Sequence, residues 1–114
     1  MAAKVTLTLT GTGYTSEVDL KDQTILRILN AGSWTTADLY VEERIASGSW
    51  APLYDDEGNR VTIAMGATRM VRVDERLFQH ARAVRFQSSN SQGAERTLVV
   101  QTVRLSELAY GAPS

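Results

Sequence analysis

The chain contains no cysteine. Disulfides, thiolate nucleophiles and cysteine zinc sites are therefore excluded, and the fold must be held by packing or assembly. Histidine occurs once, at His80, so no histidine metal cluster can form. Lysine is scarce, at Lys4 and Lys21 alone, and no run of Lys or Arg occurs. With 12 basic and 13 acidic residues the formal net charge is −1. Such a balance generates no bulk field that would draw in nucleic acid or an anionic membrane. No stretch approaches the roughly 20 apolar residues of a membrane span. The opening MAAKVTLTLT holds no apolar run of signal-peptide type, so synthesis in the cytoplasm is expected. A particle assembled there remains open as the final location.

Motifs of chemistry are equally sparse. No G-x-S-x-G elbow is present. Gly11-Thr12-Gly13 lacks the third glycine and the following helix of a dinucleotide site, and reads as a loop. Glu42 and Glu43 are adjacent on an expected strand, so they face opposite ways and make no acid/base pair. A hydrolase using His80 and Asp74 lacks a recognisable nucleophile. No cofactor or metal is expected.

What the sequence does have is 43 % apolar residues in 114, enough for one core and one domain. Val5, Leu7 and Leu9 alternate with Thr6, Thr8 and Thr10, the period of a half-buried strand. Val18 and Leu20 begin a short second piece. Thr24 to Leu29 fits a strand or a short helix; the turn chemistry of Asn30-Ala31-Gly32-Ser33 favours a strand. Asp38 to Ile45 alternates again, with Leu39 and Val41 on one face and Asp38, Tyr40 and Glu42 on the other. Trp50 to Tyr54 contains Pro52, which lacks the ladder N–H and marks an edge or irregular strand. Val61 to Ile63 and Met70 to Val73 follow. Asp74 to Phe78 reads as one helical turn with Asp74 as N-cap. Ala83 to Gln87 is a strand, Ser88 to Gly93 a polar loop, and Thr97 to Leu105 the most apolar and central strand.

About eight strands at sandwich spacing, with no βαβ alternation, predict an all-β antiparallel β-sandwich of jelly-roll type with one short helical turn. The expected domain spans 1–108, followed by a flexible tail at 109–114. Asp55-Asp56-Glu57-Gly58-Asn59 offers oxygens that suit calcium, yet departs from the D-x-[DN]-x-[DN]-G loop. A hairpin using Gly58 and Asn59 for positive φ is the simpler reading.

Function is then expected at the surface. Trp34, Trp50, Tyr14, Tyr40, Tyr54 and Tyr110 are the aromatics that can lie outside the core. Tyr40, on the polar face of its strand, is the best exposed candidate, whereas Trp50 beside Pro52 is expected to plug one end of the sandwich. The candidate interaction surface comprises the threonine row Thr6, Thr8 and Thr10, Trp34 and Tyr40, and Ser88 and Asn90. Apart from Tyr40, on the strand Asp38 to Ile45, it belongs to the strand Lys4 to Thr10 and the loops Ser33 to Thr36 and Ser88 to Gly93. The threonine row equally suits a solvated face.

From about Ala37 to Leu105 the order of features carries a recognisable cadence. Trp50-Ala51-Pro52-Leu53-Tyr54 is followed by Asp55-Asp56-Glu57-Gly58-Asn59 and Val61-Thr62-Ile63. Then come Ala67-Thr68-Arg69-Met70-Val71-Arg72-Val73-Asp74, Leu77-Phe78, Val84-Arg85-Phe86-Gln87-Ser88 and Arg96-Thr97-Leu98-Val99-Val100. This order resembles small β-sandwich virion proteins of tailed bacteriophages and gene transfer agents. It departs from them at His80-Ala81, where they often carry a glycine, and at Ser88 to Ser91, where they often carry K/R-S-G-T. The resemblance implies a virion protein decorating the capsid or forming the base of a head spike or fibre, with no active site. Implied partners are the major capsid protein or a spike or fibre protein, with no nucleic acid and no membrane. Repeated weak contacts and a trimer or pentamer matching a capsid axis would suit that task. A carbohydrate-binding module, with Trp or Tyr as a sugar platform, is the alternative.

Overall fold

The computed structural model describes residues 3–107 except 12, 47 and 80. His80, Tyr110 and the expected tail lie outside the described residues. Among the described residues nine strands form: β1 (Ala3–Gly11), β2 (Val18–Asp19), β3 (Gln23–Asn30), β4 (Asp38–Arg44), β5 (Trp50–Pro52), β6 (Thr62–Ala64), β7 (Arg69–Arg72), β8 (Ala83–Ser88) and β9 (Gln92–Arg104). One sheet has the order β1-β9-β3-β7; the other has β2-β8-β4-β5, with β6 also on β4. All pairings are antiparallel.

The topology is that of one long hairpin rolled up. β1 pairs with β9, β2 with β8, β3 with β7, and β4 with β5 and β6. β5 meets Glu42 to Arg44 and β6 meets Asp38 to Tyr40, so both share one strand position beside β4. Eight positions in two four-stranded layers make a jelly roll. Between β5 and β6 the chain leaves the edge as an arm, closed by a Tyr54–Arg60 bridge. Pro52 thus occupies an edge strand, where its missing donor costs nothing.

The alternation seen in the sequence supplies the core. Leu7, Leu9, Ile25, Ile28, Leu98 and Val100 come from the first sheet. Val18, Leu39, Val41, Ile63, Val84 and Phe86 come from the second. The Thr24 to Leu29 segment is strand, but not a regular one. Ile25 faces Thr102 while Arg27 faces Gln101, so Leu26 is a bulge that re-phases β3. The polar loop expected at Ser88 to Gly93 is shorter: Ser88 ends β8 and β9 already begins at Gln92. Gln92 is buried and bonded across the sandwich end, which keeps that segment extended.

The acidic turn is a hairpin tip. Asp55 Oδ1 accepts from the N–H groups of Glu57 (3.0 Å) and Asn59 (2.9 Å). Gly58 takes φ +85°, where a side chain would be strained. Asp55 is therefore spent on its own backbone.

The 3₁₀ turn Glu75–Phe78 closes one end of the core with Phe78, which is fully buried. Asp74 caps it, accepting from Arg76 N (3.1 Å) and Arg76 Nε (3.2 Å). The side-chain bond from Arg76, then the backbone bond, hold the Asp74 carboxyl below its ordinary value of 3.8. Because the folded-state value is depressed, this contribution is present above the ordinary value and is lost as pH falls through the folded one. Asp74→Ala should cost about 0.5–1 kcal/mol at neutral pH, chiefly for the cap, since the exposed ion pair is screened. Thermal melts should separate variant from parent at pH 7 and coincide in strongly acidic buffer.

Candidate interaction surfaces

The outer face of the second sheet carries a layered cluster of aromatic and arginine side chains. Register puts it there: Glu42 lies opposite Arg85 on one side and Pro52 on the other, and Arg44 lies opposite Trp50. Tyr14 joins from the β1–β2 connection through a bridge to Gln87. The Arg85 guanidinium is stacked between two rings, 3.8 Å from the Tyr14 centroid and 4.4 Å from that of Trp50. Its Nε and Nη2 donate to Glu42 Oε1 at 2.9 and 2.7 Å. Tyr14 Oη donates to Glu42 Oε2 at 3.1 Å. Glu42, on the face away from the core, is only 8 % exposed because these rings and the guanidinium cover it.

Alongside, Arg60 returns from the hairpin arm and stacks on Tyr40, 3.9 Å from its centroid. Its Nε is buried without a hydrogen-bond partner. Arg44 pairs with Glu17 at 2.9 Å at the rim. Each charged group is thus pinned by a ring or a carboxylate, so the face is rigid before anything binds. Tyr14 and Tyr54 remain 44 % and 55 % exposed. Tyr, Trp and Arg on a pre-organised sheet is the composition of interface hot spots.

Trp50 therefore does not plug the end of the sandwich. Its strand position opposite Arg44 turns it outward, onto Arg85. Tyr40 is on the outer face as its alternation requires, but half-buried beneath Arg60. Thr6, Thr8 and Thr10 are all exposed on β1, an edge strand of the first sheet.

The two loops singled out in the sequence meet at one end of the sandwich. Gln92 Nε2 donates to Thr35 O (2.9 Å), Asn90 Nδ2 to Thr36 O (3.1 Å), and Arg96 Nη1 to Ser33 Oγ (2.9 Å). Ser88 is not on the surface: it is buried, donating to Asn90 O and accepting from Gln92 Nε2. Trp34 is half-buried, with Nε1 fixed on Ala37 O at 3.1 Å. With Asp38, Arg69 and Asn90 it lines an open cleft of about 540 Å³. Thr68, beside that cleft, is a β-branched residue at φ +48°, held by its N–H on Gly32 O. Among the described residues no group of three or more His, Cys, Asp or Glu could hold a metal ion.

The aromatic–arginine face was missed in the sequence because its members lie far apart, with Glu42 and Arg85 43 positions apart. A usable signal was present: Tyr40 and Glu42, and Arg85 and Gln87, take the polar face of two alternating strands.

No family model matches this chain, and no curated protein matches it. Among solved structures it is similar to the SPBc2 prophage-derived protein YomS, with TM-score 0.58 and 13 % identity, over 90 % of this chain and 96 % of that one. At that identity the likeness is one of fold, and it spans nearly the whole of both chains.

Proposed function

We propose that this protein is a non-enzymatic structural component of a phage or phage-like particle. It decorates the capsid or forms the base of a head spike or fibre. The observation that carries this reading is the outer face of the second sheet, where Tyr14, Trp50 and Arg85 form a rigid patch of hot-spot composition. The fold shared with a prophage-derived protein and the ordered cadence from Ala37 to Leu105 support it. The partners are the major capsid protein or a spike or fibre protein, and copies of the chain itself in a trimer or pentamer. Nucleic acid, membrane and cofactor have no part in this role, and the site of action is the virion. Many copies make many weak contacts, and avidity replaces single-site affinity.

Co-sedimentation with purified particle shells tests the reading. The wild-type chain should pellet with shells, and Trp50→Ala should weaken this at least tenfold, a typical hot-spot loss of about 1.4 kcal/mol or more. Failure of the wild-type chain to pellet would refute the assignment. A second reading, sugar binding, is favoured by the end cleft, where Trp34 lies beside Asp38 and Asn90. Binding on a glycan array that Trp34→Ala abolishes, without shell binding, would replace the first reading by the second.

A further inference from the structure

The outer face of the first sheet has a different character. Reading across β1, β9, β3 and β7, the register places Thr6, Val99, Leu29 and Met70 in one row. Two residues further along the strands, Lys4, Gln101, Arg27 and Arg72 form the next. Apart from Thr6 the first row is apolar, with Met70 48 % exposed. The second holds three cations and no anion.

Arg27 and Arg72 lie directly opposite each other, an arrangement that destabilises an antiparallel pair. Neither has a carboxylate partner among the described residues. Together with Leu26 and Val73 they line a cleft of about 170 Å³. A like-charged pair kept at the mouth of a cleft is relieved by an anion from outside.

The complementary surface is on the same chain. The arm between β5 and β6 leaves the edge of the other sheet and ends in Asp56 and Glu57, both exposed. Asp55 is occupied within the turn, but the Asp56 and Glu57 carboxylates have no partner among the described residues. Two residues before Asp56 stands Tyr54, 55 % exposed, with exposed Pro52 behind it. The arm thus presents an apolar step and then an acidic one. The sheet presents an apolar row and then a basic one. The rows of the sheet are two extended residues apart, about 6.6 Å, and on the arm the turn begins directly after Tyr54 and Asp55.

We infer that the acidic arm of one copy docks on the first sheet's outer face of the next. Asp56 and Glu57 meet Arg27, Arg72 and Lys4, while Tyr54 meets Leu29, Val99 and Met70. The inference rests on the oligomer in the proposed function and names its contact. The two patches are different parts of the molecule, so the contact is head-to-tail, which closes into a ring at a suitable rotation. Tyr14, Trp50 and Arg85 on the outer face of the second sheet stay free for the shell.

Light scattering and sedimentation velocity on three variants test this. The wild-type chain should form a discrete ring that loosens as salt rises. D56K/E57K should weaken association at least tenfold, and so should R27E/R72E. The combined variant D56K/E57K/R27E/R72E, in which the arm and the arginine pair have both reversed sign, should associate again, more weakly than wild type because Lys4 is unchanged. All four positions are on the surface, and thermal melts should stay within a few degrees of wild type. A monomeric wild-type chain, or charge variants that associate as the parent does, would overturn the inference. Heparin binding lost in R27E/R72E with the oligomer unchanged would assign the row to a polyanion instead, and also overturn it. Shell co-sedimentation is read separately: a monomer that still pellets refutes this contact and leaves the particle role standing.

Discussion

Replacing Phe86 by alanine should remove about 3–5 kcal/mol of stability, the largest loss expected from a single side chain in this protein. Phe86 lies in the middle of β8, fully buried, in the core cluster that also holds Leu39 and Val41 of its own sheet and Leu7, Leu9 and Leu98 of the other. Its backbone is anchored on both sides of the strand. It pairs with Val41 on β4, while its N–H donates to Thr15 Oγ1 (3.1 Å) and its carbonyl accepts from Thr15 N (2.9 Å). A backbone held this firmly cannot collapse into the vacated space, so the cavity term adds to the lost transfer energy. No disulfide holds the fold meanwhile. With total stabilities of about 5–15 kcal/mol for such domains, the variant should melt at least ~12 °C lower. Phe86→Leu should lose less than half as much. A loss below about 1 kcal/mol for Phe86→Ala would mean that the two sheets do not pack through this residue.

Removing Glu42 is the second large effect, and it arises outside the core. The Arg85–Glu42 pair is shielded, with side chains 24 % and 10 % exposed. Glu42→Ala leaves the Arg85 guanidinium between two rings with no counter-charge, and leaves Tyr14 Oη without its acceptor. Deleting one partner of a buried pair costs about 3–5 kcal/mol; the partial exposure of Arg85 reduces that to about 2–3 kcal/mol. Arg85→Ala should cost a similar amount, with the stacking of Tyr14 and Trp50 lost as well. The double variant Glu42→Ala/Arg85→Ala should be much less destabilised than the sum of the single changes, because no unpaired charge remains. Urea unfolding of the four proteins gives the coupling directly. Additive losses would mean that the cluster does not act as a unit.

These two residues also mark what periodicity can reveal. Phe86 was legible: Val84 and Phe86 alternate with Arg85 and Gln87, and a period of two sends every second side chain inward. The same rule located β1, β4 and β9 and yielded the two-layer fold. It could not assign partners. Glu42 reads as an outward polar residue, which is correct, yet its burial depends on Arg85, Tyr14 and Trp50 arriving from three other segments. Trp50 shows the limit most clearly. Pro52 identified its strand as an edge, but whether Trp50 faces in or out is fixed only by its register against Arg44.

Long-range polar contacts set the remaining differences. Ser88 to Gly93 has the composition of a loop. Burial of Gln92 and its two bonds to the Thr35 backbone convert the end of that stretch to strand and take Ser88 out of solvent. The Leu26 bulge is similarly invisible in TILRIL, because an extra residue leaves the apolar count unchanged while shifting its phase. The basic row of Lys4, Arg27 and Arg72 comes from three strands, none of which contains a run of positive charge. In a nearly neutral chain, a one-sign charge row of this kind is made by strand pairing.

The proposed role is that this jelly roll acts by being built into a particle. Quantitative mass spectrometry of purified, nuclease-treated particles tests it most directly. The chain should be present in every particle preparation, at a fixed copy number per particle that is a whole multiple of the ring size. Particles complete and stable without the chain in any preparation, while the protein remains free in the lysate, would contradict it.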